Sequence, residues 1–257
     1  MNLKILALDT STETGGVALL EGDVLRTQVQ IRVAKTHASQ LWATIFFLLE
    51  QTGWGLEDID LWAVTVGPGS FTGLRIGLAT IKRLAFATQK TVVGVSTLEA
   101  LAFSFSYSPY LICALIDARQ KEVFCGFFKS TPAGKVEKKG EPRHIKPLQL
   151  TEEIDEPVLL VGNGAMLYQD LLKEKLGPQA IFPSPHLHLI SPFVIGLLAG
   201  SRFQPDYPST LDEIRPLYIR PSDAELNRHA CQGRGTIKYE NRRVGSNPIF
   251  ELTHKIQ

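Results

Sequence analysis

Along the first hundred residues, short continuous apolar runs alternate with longer segments of helical spacing, the pattern of strands covered on both faces by helices. Leu3 to Leu8, Gly16 to Leu20 and Val24 to Ile31 read as three consecutive strands, with Glu21-Gly22-Asp23 as a hairpin turn. A helix is predicted over His37 to Gln51. The run Leu61 to Val66 is a buried strand, and Phe71 to Ala87 again places apolar residues at helical spacing. The pattern then repeats more weakly. Tyr110 to Ile116 reads as a strand ending in Asp117, and the short polar link Ala118-Arg119-Gln120-Lys121 joins it to a strand over Glu122 to Lys129. Val158 to Val161, the glycine turn Gly162-Asn163-Gly164 and a helix over Met166 to Leu176 echo the arrangement of the first half. The sequence thus predicts two α/β lobes, residues 1–106 and 107–222, divided in the small polar stretch Ser104 to Pro109. From Ser222 onward six Lys or Arg stand against four Asp or Glu with no clear period, so residues 223–257 read as an added flexible tail.

The run Gly67-Pro68-Gly69-Ser70-Phe71-Thr72-Gly73-Leu74-Arg75-Ile76-Gly77 places a tight glycine turn between a strand and a helix. A glycine loop opening a helix leaves N–H groups and the positive end of the helix dipole pointing outward, where a phosphate or carboxylate can sit. The spacing fits neither common phosphate motif. A Walker loop needs Lys then Ser or Thr after its last Gly, and the third Gly comes too late for a dinucleotide fingerprint. A turn that only packs and a loop that contacts an anion or partner both remain open. At the end of the first strand, Asp9-Thr10-Ser11-Thr12 reads either as a polar turn or as a carboxylate-hydroxyl loop facing a ligand.

The helix from His37 is apolar nearly all round. Leu41, Trp42, Ile45, Phe46, Phe47, Leu48 and Leu49 cover most of its circumference, so it requires burial on more than one side. The neighbouring helix supplies part of that cover. Bulky Trp42, Phe46 and Leu49 suggest an outward apolar patch of the kind that marks protein interfaces.

Composition narrows the classes. With 257 residues, 44% hydrophobic content and a net charge of +1, the chain is long enough for one large or two modest cores, and charge indicates neither nucleic acid nor membrane. Cys113, Cys125 and Cys231 show no metal-ligand spacing and predict reduced thiols. No signal-peptide pattern and no membrane-length apolar run are seen, so a cytoplasmic protein is expected. Peptidase chemistry has no local signature, neither His-Glu-x-x-His nor Gly-x-Ser-x-Gly. His186-Leu187-His188 lies in a proline-flanked loop and reads as two solvent-facing imidazoles, and His37 as a capping or packing residue.

Leu8-Asp9-Thr10-Ser11, His37, the glycine run with Arg75, Gly94-Val95-Ser96-Thr97-Leu98-Glu99-Ala100 and Ile116-Asp117-Ala118-Arg119, in this order, resemble the TsaB (YeaZ) family of tRNA threonylcarbamoyladenosine biosynthesis over residues 1 to about 222. The resemblance implies a two-lobed actin-like/sugar-kinase-like ATPase (ASKHA) fold with duplicated sheets. It makes Asp9, Thr10, Ser11, Gly67, Gly69, Ser70 and Gly73 a vestigial phosphate-binding set. It also implies a face for the partner TsaD on the two N-lobe helices, with Leu41, Trp42, Ile45, Phe46, Leu49, Phe71, Arg75 and Leu78 as interface residues. TsaD carries a His-x-x-x-His metal pair where this chain has Thr97 and Leu101, and neither side chain replaces an imidazole ligand. No catalytic residue, metal or cofactor of its own is therefore expected. The expectation is a scaffold subunit for TsaD, with ATP and metal on TsaD and TsaE, tRNA reached through the complex, and self-pairing of the isolated chain. The alternative is an independent small ATPase or kinase using Asp9, Thr10, Ser11 and the glycine loop.

Overall fold

The computed structural model describes residues 2–32, 38–205 and 211–219. His37, Cys231 and the expected tail lie outside the described residues.

β1 (Lys4–Asp9), β2 (Thr14–Glu21) and β3 (Val24–Arg32) form an antiparallel meander, and β4 (Leu61–Gly67) and β5 (Thr91–Ser96) add in parallel beside β1. The order is β3-β2-β1-β4-β5. A second five-stranded sheet holds β6 (Leu111–Asp117), β7 (Val123–Ser130), β8 (Val136–Ile145), β9 (Val158–Val161) and β10 (Ala180–Ile181), in the order β10-β9-β6-β7-β8. Read from the other edge, this is the first order again, with β6 in the place of β1. The weak internal echo in the sequence is thus a duplicated topology.

The near-continuous apolar character of β1 and β4 follows from burial on both faces. On one face Leu6, Leu8, Val17, Leu19, Trp62 and Val64 pack beneath α1 (Ala38–Thr52) and α2 (Phe71–Thr88), through Leu41, Ile45, Leu48, Leu78, Ile81 and Leu84. Trp62, fully buried, donates its indole N–H to the Thr88 hydroxyl at 3.1 Å, which satisfies the one polar atom it carries inward. On the other face Ile5, Ala7, Ala18, Leu20, Leu61 and Ala63 meet α3 (Thr97–Phe103) and α7 (Pro192–Arg202). That core continues into Ile112, Ala114, Ile116 and Phe128 of the second sheet. By packing, α7 belongs to the first sheet, although it follows the whole second sheet in sequence.

The far face of the second sheet packs Cys113, Leu115, Val123, Cys125 and Leu160 against α4 (Pro147–Thr151), α5 (Asn163–Leu167) and α6 (Gln169–Leu176). The helix expected over Met166 to Leu176 is two helices, because Tyr168 leaves helical geometry at φ −110°, ψ 21°. Burial pushes the Cys113 and Cys125 thiols up, so both are unreactive core groups. β8 has no apolar pattern. It is an edge strand bearing Lys138, Glu141 and Arg143, with ion pairs Lys138–Glu141 and Arg143–Glu153, and charge of this kind disfavours edge-to-edge pairing.

Among the described residues, no helix is long and apolar enough to cross a membrane.

Candidate functional site

The glycine run and the Asp9 loop meet. Ser70 caps α2, its hydroxyl accepting the Gly73 N–H at 3.2 Å, and its own N–H is donated to the Ser11 carbonyl at 2.7 Å. Thr10 donates its hydroxyl to the Gly73 carbonyl at 2.8 Å. A β-carbon on Gly69 would strike the Ser11 carbonyl, one on Gly73 the Thr10 carbonyl, and one on Gly77 the Thr10 hydroxyl. These glycines admit backbone, as their pattern requires, and that backbone is the chain's own. Gly67 sits in the left-handed region at φ 114°, against the Leu217 carbonyl, while Leu217 donates its N–H to Val66 at 2.7 Å. Thr10, Ser11 and Leu217 are what a side chain at Gly73, Gly69 and Gly67 would meet, so the chain's own packing accounts for these glycines.

Asp9 is fully buried, with Thr10 and Ser11 almost so. Its Oδ1 accepts three bonds, from the Ser11 N–H at 3.0 Å, the Ser11 hydroxyl at 2.7 Å and the Thr65 hydroxyl at 2.8 Å. Its Oδ2 is buried without a protein partner. Desolvation outweighs these bonds and raises the carboxyl above its ordinary value. Oδ1 is thus committed to the chain's own turn, while Oδ2 keeps its acceptor capacity unused by any protein donor. Thr97 and Leu101, where a metal pair would stand, are buried in α3 among the core of both sheets.

Asp117, Ala118 and Arg119 lie at the turn from β6 to β7, and this turn faces the first hairpin. Arg119 pairs with Glu13 and with Asp117, each at 3.5 Å, and Glu13 also pairs with Arg32 at 3.3 Å. All these groups except Asp117 are largely exposed, so each pair contributes under about 1 kcal/mol. The backbone is less ordinary: Arg119, Gln120 and Lys121 have φ of 61°, 51° and 62°, three successive side-chain-bearing residues in the left-handed region. Each such residue costs on the order of 1 kcal/mol relative to glycine. Lys121→Gly is accordingly expected to raise the melting temperature by an amount worth about 0.5–1 kcal/mol. An unchanged or lowered transition in differential scanning calorimetry would mean that the turn is not strained there.

His188 is buried rather than solvent-facing, its Nδ1 3.2 Å from the Gly162 carbonyl and its Nε2 3.3 Å from the Pro183 carbonyl. Desolvation pushes its pKa down, and in the neutral form its single N–H is donated to one of these two carbonyls. His186 is exposed.

The expected interface residues divide. Leu41, Ile45, Leu49 and Leu78 are buried in the core beneath α1 and α2, which corrects their placement on an outer face. At about 100° per residue, Leu49 falls between Ile45 and Trp42 on the inward arc, whereas Ala43, Phe46, Phe47 and Glu50 are exposed. Trp42 is partly buried and stacks on Phe46 with ring centroids 6.0 Å apart, while Phe46 and Phe47 are each 51% exposed. On α2, half-buried Phe71 lies under the Arg75 guanidinium at 4.0 Å and 5.4 Å from the Tyr218 ring. Two exposed aromatics of α1 and α2 were not among the expected interface residues, Phe47 and the 67% exposed Phe86. The helical wheel of α2 carries the signal for Phe86, which points well away from Leu74 and Ile81.

The TsaD family, described as tRNA N6-adenosine threonylcarbamoyltransferase, matches residues 28–187. TsaB of Bacillus subtilis, a tRNA threonylcarbamoyladenosine biosynthesis protein, is 28% identical over 87% of this chain and 96% of its own length. TsaB of Escherichia coli is 30% identical over 67% of this chain and 76% of its own length. The solved structure of YeaZ from Pseudomonas aeruginosa superposes with a TM-score of 0.70 at 28% identity, over 84% of this chain and 99% of that one. The duplicated sheet order and these likenesses identify the actin-like ATPase-type fold. The chain belongs to the TsaB (YeaZ) family of tRNA threonylcarbamoyladenosine biosynthesis proteins.

Proposed function

We propose that this chain is the non-catalytic subunit that binds and activates TsaD. The supported reaction is threonylcarbamoyl transfer from its adenylate to the adenosine beside the anticodon of ANN-decoding tRNAs. TsaD holds the active site and metal, TsaE cycles ATP, and tRNA is engaged through the complex. The observation that carries this reading is the aromatic face of α1. Phe46 and Phe47 stand half exposed beside Trp42, on a helix whose other side is committed to its own core. Aromatic side chains left in water on a rigid helix are the usual material of an interface hot spot. The isolated chain also pairs with itself through this face, and TsaD displaces that pairing. A glycine loop accounted for by its own packing and the internally bonded Oδ1 of Asp9 favour this scaffold role over an independent ATPase.

Reconstitution tests the proposal. The purified chain alone is expected to leave ANN-decoding tRNA unmodified and ATP unhydrolysed, and modification is expected only when TsaD and TsaE are added with the threonylcarbamoyl adenylate. Full modification by TsaD and TsaE without this chain would overturn the activating role. ATP turnover by the chain alone would restore the ATPase reading.

A further inference from the structure

The Asp9 turn and the glycine run are the two most distinctive segments of the chain, and they meet in one buried contact. Gly73 and Gly77 stand one turn apart among the buried residues of α2, and Gly69 precedes its cap residue Ser70. A β-carbon at Gly73 would strike the Thr10 carbonyl and one at Gly77 the Thr10 hydroxyl, so α2 lies nearer to the end of β1 than side chains at these positions would permit. Two hydrogen bonds cross the contact, from the Thr10 hydroxyl to the Gly73 carbonyl at 2.8 Å and from the Ser70 N–H to the Ser11 carbonyl at 2.7 Å. The turn is itself braced. Asp9 Oδ1 accepts from the Ser11 N–H and hydroxyl and, across the sheet, from Thr65 of β4, with Asp9, Thr10 and Ser11 all buried. A turn tied to two strands by bonds out of reach of water has little freedom to yield to α2.

α2 does not stand alone on the sheet. Its Leu78, Ile81 and Leu84 lie in one apolar cluster with Leu41, Ile45 and Leu48 of α1. Close-packed interiors transmit displacements rather than absorb them, so the depth of α2 sets the packing from which α1 holds out Phe46 and Phe47. We infer that Thr10, Gly73 and Gly77 form a positioning contact: they fix the depth of α2 and, through the shared core, the arrangement of the α1 aromatics that TsaD meets. All three are buried, Thr10 being 3% exposed, so they act only through the helices. This rests on the reading of TsaD as partner and adds buried residues to it. The Asp9 carboxyl then serves α2 as well, since it shapes the turn on which that helix rests.

The test is calorimetric titration of the full chain with TsaD from the same organism, beside thermal unfolding of each protein. Gly77→Ala and Gly73→Ala are each made with and without Thr10→Ala, and Thr10→Ala alone is the reference for the double variants. The two glycines differ in what stands in the way. A β-carbon at position 77 is blocked by the Thr10 hydroxyl alone, the Thr10 β-carbon and methyl lying at 3.4 and 3.5 Å, so Thr10→Ala clears the obstruction. At position 73 the obstacle is the Thr10 backbone carbonyl, which no substitution at position 10 removes. Gly77→Ala is expected to unfold cooperatively, since alanine is the better helix former, and to bind TsaD about tenfold more weakly. Adding Thr10→Ala is expected to bring that affinity back to within about threefold of the Thr10→Ala reference, and to restore nothing in the Gly73→Ala chain. Unchanged TsaD binding by a folded Gly77→Ala chain would overturn the positioning role and leave the TsaD reading standing. Weakened binding that Thr10→Ala does not restore would overturn it too, because position 77 would then act by another route. A Gly77→Ala chain that fails to fold would assign the contact to the fold alone and likewise overturn it. Failure of the unsubstituted chain to bind TsaD at all would overturn both readings.

Discussion

Phe46→Arg is expected to leave the chain folded and to weaken association with TsaD by about 2 kcal/mol or more, some thirtyfold, whereas Leu49→Arg is expected to unfold the chain. The two positions lie less than one turn apart and fail for different reasons. Phe46 is half exposed and its ring contact is with Trp42, so the guanidinium of an arginine there reaches water in the free chain and is desolvated only when a partner covers it. Leu49 is 4% exposed within the apolar core beneath α1, and a charge at that position is placed among those side chains. Removing its apolar burial and stranding a cation costs on the order of 4–5 kcal/mol, comparable with the whole stability of many domains. Thermal unfolding separates the cases, and calorimetric titration with TsaD then reads the surface effect. A folded Phe46→Arg chain that binds TsaD as well as the unsubstituted chain would place the interface elsewhere. A folded, cooperative Leu49→Arg chain would show that α1 is not packed as described.

The contrast between these two positions of one helix also marks what was legible in the sequence. That α1 is apolar beyond a single stripe follows from Leu41, Trp42, Ile45, Phe46, Phe47, Leu48 and Leu49 alone. Which of them face outward depends on where β2, β3 and α2 lie, and so Leu49 was expected outside and is found inside. The glycine run shows the same division. Spacing reveals that something comes close to Gly69 and Gly73, because a β-carbon is forbidden there, but only the fold shows that the visitor is Thr10 and Ser11. Strands β1, β4, β6 and β9 were plain from their apolar runs because both faces are covered. β8 was not, since an edge strand is free to be charged and Val136–Ile145 uses that freedom. Long-range packing was the least visible. Nothing in Pro192–Arg202 says that α7 closes the face of a sheet begun at Lys4, and the apolar helix alone fits either sheet.

The buried Asp9 offers the sharpest thermodynamic test of the site. Asp9→Ala is expected to lower stability by on the order of 3 kcal/mol, because the Ser11 N–H, the Ser11 hydroxyl and the Thr65 hydroxyl lose one shared acceptor in a place without solvent. Asp9→Asn keeps a carbonyl oxygen for those three donors and removes the charge, so its cost is expected to be much smaller and to depend on pH. Burial raises the folded carboxyl above its ordinary value, which means that the folded chain holds this proton more tightly than the unfolded chain does. The contribution of Asp9 to stability is then fully present below the unfolded value of 3.8 and is lost as pH rises through the folded one. Asparagine does not titrate. The melting temperature of Asp9→Asn relative to the unsubstituted chain is therefore expected to improve as pH rises above about 4, for as long as native Asp9 is giving up its proton. A difference that stays flat over that range would show that Asp9 ionises as an ordinary carboxyl. A difference that worsens with pH would show that the folded chain favours the charged carboxylate, as it would with a cation at the unpartnered Oδ2.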